Sequence, residues 1–275
     1  MAFTIVDTDY TRPVQAGFFD ACAIGGTILL EEITCFKKQV SIPGINFYIH
    51  GSNTFVISSD NPLTVLSSAV LGADLRRARY IINHTVDKDY NGNNPEQDLA
   101  KVAASLGLEK DVLGMMTSVS ITHTFLSHVN HQGLSVATFC TAGIGNPGVA
   151  GLPIGKVINQ QKYGTINLIL LIDGNLTASA MVNVVITATE AKTRALFKAN
   201  VCLPDGELVT GTTTDSLVVA CTGKGRALSY AGTATDLGYF IGRTVSEAII
   251  QGVASYISLS GAGEYVMKSK GKLVN

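Results

Sequence analysis

Residues 210–215, Thr-Gly-Thr-Thr-Thr-Asp, place four hydroxyls, several backbone donors and one carboxylate within a single turn of chain. Hydroxyls of this kind supply nucleophiles or hold ligands, and a carboxylate beside them is a proton acceptor. The same residues also suit a threonine-rich turn closed by an Asx cap. Upstream, Thr165 and Asn167 stand at the entrance of an apolar run, and Glu190 and Lys192 lie two residues apart in a helical segment. The loop 142–151, Ala-Gly-Ile-Gly-Asn-Pro-Gly-Val-Ala-Gly, is rich enough in glycine to cradle phosphate or let a ligand approach the backbone. It has neither the Gly-Lys-Ser/Thr ending of a Walker loop nor the Rossmann spacing. His123, His128 and His131 fall within nine residues, but no glutamate accompanies them and the spacing matches no strong ligand motif. Metal ligation is not expected.

The elements that must position these groups are legible from periodicity. Residues 163–173 alternate so that Thr165, Asn167, Ile169, Leu171 and Asp173 share one face, and Ile166, Leu168, Leu170 and Ile172 the other. A strand apolar on both faces needs cover on both, which predicts a central strand of a layered fold. Gly174 to Thr177 breaks the strand and offers an N-cap for a helix running to about Lys198. At about 100° per residue, Asn183, Thr187, Glu190 and Arg194 form one stripe. Met181, Val184, Ala188, Ala191 and Ala195 lie mostly opposite, with Lys192 among them. Glu190 and Lys192 therefore face different ways and make no ion pair within the helix. The plain reading of this pattern is a solvent stripe and one snorkelling lysine.

The totals exclude several classes. With 275 residues, 46% hydrophobic and only 15% charged, the chain buries a substantial core, and its low charge leaves room for a homo-oligomeric contact. Twenty basic residues against twenty-one acidic ones argue against a general grip on nucleic acid or anionic membrane. Five widely spaced cysteines without a Cys-x-x-Cys pair indicate neither a disulfide framework nor a zinc site. No secretory leader or membrane span is recognisable, so a cytoplasmic protein is expected.

In chain order, residues 1–32 are an N-terminal extension without an assigned role, and 33–275 form one domain. Strands are expected at 34–36, 46–50 and 53–58, joined by Pro43-Gly44 and Gly51-Ser52 turns. Residues 61–70 read as an exposed turn into a mixed segment, and 78–86 as a strand. Pro95 to Leu106 suits a helix, with acids in its first turn and Gly107 at its stop. Strands follow at 114–123 and 135–141, with His128 and His131 in a loop. After the central stretch comes a strand at 216–220. A final helix capped by Thr235 covers Ile241, Val245, Ala248, Ile249 and Val253.

Several segments, taken in order, resemble the adenosylcobinamide amidohydrolase family. They are Ile82-Asn83-His-Thr-Val86, Thr138-Phe-Cys-Thr141-Ala-Gly143, Gly164-Thr-Ile-Asn167, Thr187-Ala-Thr-Glu190-Ala-Lys192, Thr210-Gly-Thr-Thr-Thr-Asp215 and Tyr230-Ala-Gly-Thr233 with Thr235. The resemblance covers roughly residues 33 to 255. Two places depart from the family pattern: Pro147-Gly148 replaces alanine and a basic residue after Asn146, and Ala234 stands where histidine is frequent.

The resemblance implies hydrolysis of the amide joining the corrin propionate to the aminopropanol arm of adenosylcobinamide, giving adenosylcobyric acid for cobalamin salvage. The corrinoid is the substrate, and no cofactor is required. A weaker similarity to self-processing aminopeptidases implies an α+β fold, a single-domain α/β/β/α sandwich of mostly antiparallel mixed sheets. Amide hydrolysis needs a nucleophile, a base and oxyanion donors. On this basis Glu190, Asp215, Asn167 and Thr212 are the catalytic candidates. Either carboxylate would be the base, toward water or a threonine hydroxyl, and Asn146, Asn167 or the backbone amides around Gly143 would hold the oxyanion. Asn83, Thr141, Gly143, Asn146, Thr165, Lys192, Thr214 and Thr235 are the substrate-binding candidates. Two alternatives stay open: a corrinoid-binding paralogue that carries or senses its ligand without cleaving it, and a self-cleaving amino-terminal peptidase.

Overall fold

The computed structural model describes residues 40, 42–153 and 164–260. The extension 1–32, the strand expected at 34–36 and the tail from 268 lie outside the described residues. The order is β1 (Ile45–His50), β2 (Thr54–Ser67), β3 (Asp74–Thr85), α1 (Pro95–Ser105), β4 (Val112–Thr117), β5 (Phe125–His131), β6 (Leu134–Ala142) and β7 (Pro147–Gly148). Then follow β8 (Ile166–Asp173), β9 (Asn175–Leu176), α2 (Ala178–Lys198), β10 (Gly211–Thr212), β11 (Ser216–Cys221), β12 (Ala227–Leu228) and α3 (Asp236–Ser260).

Eight strands make one mixed sheet in the order β4-β3-β2-β11-β8-β6-β5, with β1 also paired to β2. Its two parallel pairs are β3 with β4 and β8 with β11. Parallel neighbours need a crossover, and α1 and α2 are those crossovers. The remaining pairings in this sheet are antiparallel.

The sheet doubles over at β2. One edge of this strand pairs with β3 throughout, while the other pairs first with β1 and then with β11. The register shifts between Ser58 and Leu63, around Pro62, whose nitrogen has no hydrogen to give to a ladder. Folding brings Phe47 and Phe55 against Phe139 of the other layer, with ring centroids 5.4 and 5.3 Å apart. Leu113, Met115, Ile169, Leu171, Val218 and Ala220 join them in the cluster between the layers. Outside one layer, α2 and α3 pack on Ile166, Leu168, Leu170 and Ile172. Outside the other, Leu99 and Ala103 of α1 pack on Val56 and Ile82. The fold is α+β with the expected α/β/β/α layering, its two β layers cut from one sheet rather than two.

Local signals set most boundaries. Asn94 caps α1, with Oδ1 accepting from Gln97 N, and Pro95 fills its first turn. Thr177 caps α2, its hydroxyl accepting from Ala180 N at 3.1 Å. Three expectations change. Residues 61–67 continue β2, and Leu63 and Val65 are buried. The strand expected to reach 123 stops at Thr117, and a 3₁₀ turn at Ile121–His123 follows. His128 and His131 lie in β5, paired with Ala137 and Leu134, rather than in a loop. No helix among the described residues is long and apolar enough to cross a membrane.

Candidate functional site

Asn83, Met116, Thr141, Asn167 and Asp215 meet at one end of the folded sheet. The C-terminal ends of β3, β4 and β6 converge there with the N-terminal ends of β8 and β11. Alternation turns Asn167 and Thr141 inward with Ile169 and Phe139, so both face β3 and β4 across the gap. The Asn167 carboxamide donates to Asn83 Oδ1 at 2.9 Å and to the Met116 carbonyl at 2.8 Å. Asn83 Nδ2 in turn donates to Thr141 Oγ1 at 3.1 Å. Asn83, Thr141 and Asn167 are all buried. Each asparagine thus ties one β layer to the other, and both amide hydrogens of Asn167 already have acceptors.

From Asn167 the network runs toward the surface. The buried Thr165 hydroxyl lies 3.4 Å from Asn167 Oδ1 and donates to the Thr214 carbonyl at 2.8 Å. Asn146 Nδ2 reaches Thr213 Oγ1 at 2.8 Å and Thr214 Oγ1 at 3.3 Å, and the Thr214 hydroxyl donates to the Gly164 carbonyl at 3.0 Å. Gly143 gives its N–H to the Thr165 carbonyl at 2.9 Å, so that amide is engaged within the strand entrance. Asn146 Oδ1 is buried without a hydrogen-bond partner among the described residues.

Asp215 is the centre of charge. Its Oδ1 accepts from Ile166 N at 3.2 Å, from Thr212 N at 3.1 Å and from the Thr212 hydroxyl. Its Oδ2 pairs with Lys192 Nζ, and the two side chains are 18% and 12% exposed. A lysine at this depth is held by its partner rather than by water. The helix and loop are pinned again next door, where Thr193 Oγ1 donates to the Thr210 carbonyl at 3.1 Å. Beneath the carboxylate, burial and the charge of Asp215 push the Cys140 thiol far up from its ordinary value, so it stays protonated. Thr212 is half-buried while Thr213 and Thr214 are exposed, so the charged pair adjoins a turn that reaches the surface.

Ten of the twelve sequence-derived candidates therefore form one connected cluster: Asn83, Thr141, Gly143, Asn146, Thr165, Asn167, Lys192, Thr212, Thr214 and Asp215. Two stand apart. Glu190 is exposed on α2, bordering a surface depression lined by Thr189, Thr193, Arg194 and Phe197. Thr235 caps α3, accepting from Gly238 N at 3.0 Å and donating to the Gly232 carbonyl at 2.8 Å. The expected solvent stripe of α2 is broken as well: Thr187 is buried and donates to the Ala231 carbonyl at 2.9 Å. Of the two departures from the family pattern, Pro147 is buried beside the cluster and Ala234 is exposed.

Two glycines belong to the site for reasons the motifs alone did not disclose. A Cβ on Gly164 would lie 2.5 Å from Gly145 N, 2.7 Å from the Gly143 carbonyl and 2.9 Å from Asn146 Oδ1. One on Gly211 would lie 2.4 Å from Asp215 Oδ2 and 2.8 Å from Lys192 Nζ. Both positions let the backbone close on the polar groups. Their only sequence signal is a glycine beside each threonine motif.

A curated adenosylcobinamide amidohydrolase of Methanosarcina mazei is 30% identical over 131 residues, which are 48% of this chain and 59% of that protein. The chain thus spans less than two thirds of that relative. An uncharacterized protein of Methanocaldococcus jannaschii is 27% identical over 179 residues, covering 57% of this chain and 68% of its own length. Among solved structures, the PH0078 protein from Pyrococcus horikoshii OT3 aligns over 77% of this chain and 83% of its own, at 11% identity and a TM-score of 0.40, a remote likeness. The adenosylcobinamide amidohydrolase family profile matches residues 41–261, a span that holds every residue of the cluster, and the chain belongs to that family.

Proposed function

We propose that the protein hydrolyses the amide between the corrin propionate and the aminopropanol arm of adenosylcobinamide, releasing adenosylcobyric acid for cobalamin salvage. The observation that carries this reading is the Asp215 carboxylate, fixed by Lys192 and two backbone N–H groups and bonded to a threonine turn whose Thr213 and Thr214 are exposed. In this reading Asp215 is the general base, held in place before substrate arrives, so little reorganisation is left for the reaction itself. Asn146 supplies oxyanion donors: both acceptors of its Nδ2 are hydroxyls of exposed residues, which can turn away when a carbonyl oxygen arrives. Asn83, Thr141 and Asn167 set the floor of the site by locking the layers together. Glu190, on the exposed face of α2, takes no part in the chemistry. The route uses these side chains and water, with the corrinoid as substrate.

Incubation with adenosylcobinamide, followed by chromatography for adenosylcobyric acid, tests the reading. Stoichiometric product with release of 1-amino-2-propanol is the expected result. Pro147 and Ala234, which depart from the family pattern, favour a second reading as a corrinoid carrier or sensor. A spectral change on titration without product would favour that reading and overturn the first.

A further inference from the structure

The geometry points to the Thr212 hydroxyl, rather than water, as the nucleophile that Asp215 activates, so that hydrolysis passes through an ester on this chain. The assignment rests on the amidohydrolase reading above and deepens it.

Of the four hydroxyls in the 210–214 run, only that of Thr212 is bonded to a carboxylate among the described residues. The Thr210 hydroxyl accepts from Ala150 N at 2.9 Å, that of Thr213 accepts from Asn146, and that of Thr214 donates to the Gly164 carbonyl. Thr165, on the adjacent strand entrance, is buried and spends its hydrogen on the Thr214 carbonyl. The two oxygens of Asp215 are also not equivalent. Oδ2 faces Lys192, whereas Oδ1 already takes the Thr212 hydroxyl and two backbone N–H groups. A water at Oδ1 would have to displace a bond already made. The Thr212 oxygen needs no such exchange, because its proton already lies on the line to the base. Helix and turn hold this pair from both sides, since Lys192 and Thr193 of α2 bind Asp215 and the Thr210 carbonyl.

The step balances without any further reagent. Thr212 Oγ1 bonds to the amide carbon as its proton passes to Asp215. The tetrahedral adduct collapses, the C–N bond breaks, and the amine leaves with the proton held by Asp215. Water then attacks the ester carbon and gives a proton to Asp215. The C–O bond to Thr212 breaks, that proton returns to Oγ1, and the carboxylic acid departs.

The test uses the full chain with adenosylcobinamide and three variants, Thr212→Val, Thr212→Ser and Asp215→Asn. Thr212→Val keeps the backbone donor and the side-chain shape, and unchanged near-ultraviolet circular dichroism and melting would show that it folds. We expect Thr212→Val to lose roughly a thousandfold or more in kcat and Thr212→Ser to recover much of it. In rapidly quenched wild-type samples, peptide mass spectrometry should find the corrinoid acyl group on Thr212, and added hydroxylamine should divert product to the hydroxamate. A folded Thr212→Val variant working within tenfold of wild type, beside an inactive Asp215→Asn, would make water the nucleophile. That result overturns the assignment and leaves the amidohydrolase reading intact. Wild-type protein that yields no adenosylcobyric acid overturns both.

Discussion

Lys192 and Asp215, 23 residues apart in the chain, form an ion pair with side chains only 12% and 18% exposed, joining α2 to the entrance of β11. Two charges this well covered stabilise the fold only while both are present, because a lone survivor keeps its desolvation cost and loses its partner. Lys192→Met is therefore expected to destabilise the protein by about 3 kcal/mol, measured by urea denaturation. The double variant Lys192→Met/Asp215→Leu should recover part of that loss while remaining inactive. Equal stability of the single variant and wild type would mean the pair is solvated in solution.

Activity should separate the two carboxylates of the sequence motifs. Asp215→Asn keeps the size of the side chain but removes the proton acceptor, and a loss in kcat of roughly 10²- to 10⁴-fold is expected. Glu190→Gln, on the exposed face of α2, should leave both kcat and KM unchanged. Steady-state kinetics on adenosylcobinamide reads both, and an inactive but folded Glu190→Gln variant would return Glu190 to the chemistry.

Asn167 is expected to matter for stability before it matters for chemistry. Asn167→Ala strips the donors from Asn83 Oδ1 and the Met116 carbonyl, both at the buried junction of the layers. Leaving two buried acceptors unpaired costs about 2–4 kcal/mol, readable as a lowered denaturation midpoint. Asn167→Leu should be no better, since its added bulk still meets the same two oxygens.

Gly164→Ala tests the tight closure of the loop. Its Cβ would meet backbone atoms of Gly143 and Gly145 at 2.7 and 2.5 Å, and backbone cannot swing aside as a side-chain end can. A destabilisation of about 1–3 kcal/mol is expected. Because Asn146 Oδ1 lies 2.9 Å from the same point, kcat should fall more than global stability does.

Two histidines set an acid limit. Burial holds His84 and His128 below their ordinary value of 6.5, and His84 Nδ1 is 2.8 Å from the Thr54 hydroxyl. The unfolded chain therefore binds protons on these groups at a higher pH than the folded one does. Their contribution is complete above about pH 6.5 and is lost as the pH falls from there through the lowered folded values. Stability measured by denaturant titration should decline over that window, and His84→Gln with His128→Gln should flatten the decline.

Much of the scaffold was legible in local pattern. The alternation of residues 163–173 correctly divided Asn167, Ile169 and Leu171 from Ile166, Leu168, Leu170 and Ile172, because a strand shows its two faces in strict turn. The capping residues at 174–177 and Pro95 with its first-turn acids marked the starts of two helices, because such end signals act within about four residues. The helical angle between Glu190 and Lys192 told that they point apart, but the snorkelling lysine of the plain reading is instead covered, its side chain only 12% exposed and paired with Asp215. What local pattern could not show was destination. Nothing near Lys192 names Asp215 as its partner, nor near Asn83 names Asn167, since those contacts span 23 and 84 residues. Thr187 sits on the stripe of Glu190, yet it is buried, because a loop from beyond β12 lies over it and supplies the Ala231 carbonyl. The doubling of the sheet at Pro62, the seating of His128 in a strand, and the closing of Gly164 on Asn146 depend likewise on distant partners. Propensity, capping and periodicity are short-range forces and leave their mark in neighbouring residues; the meeting of three segments around Asp215 follows from how the sheet folds over its core, which only the whole chain decides.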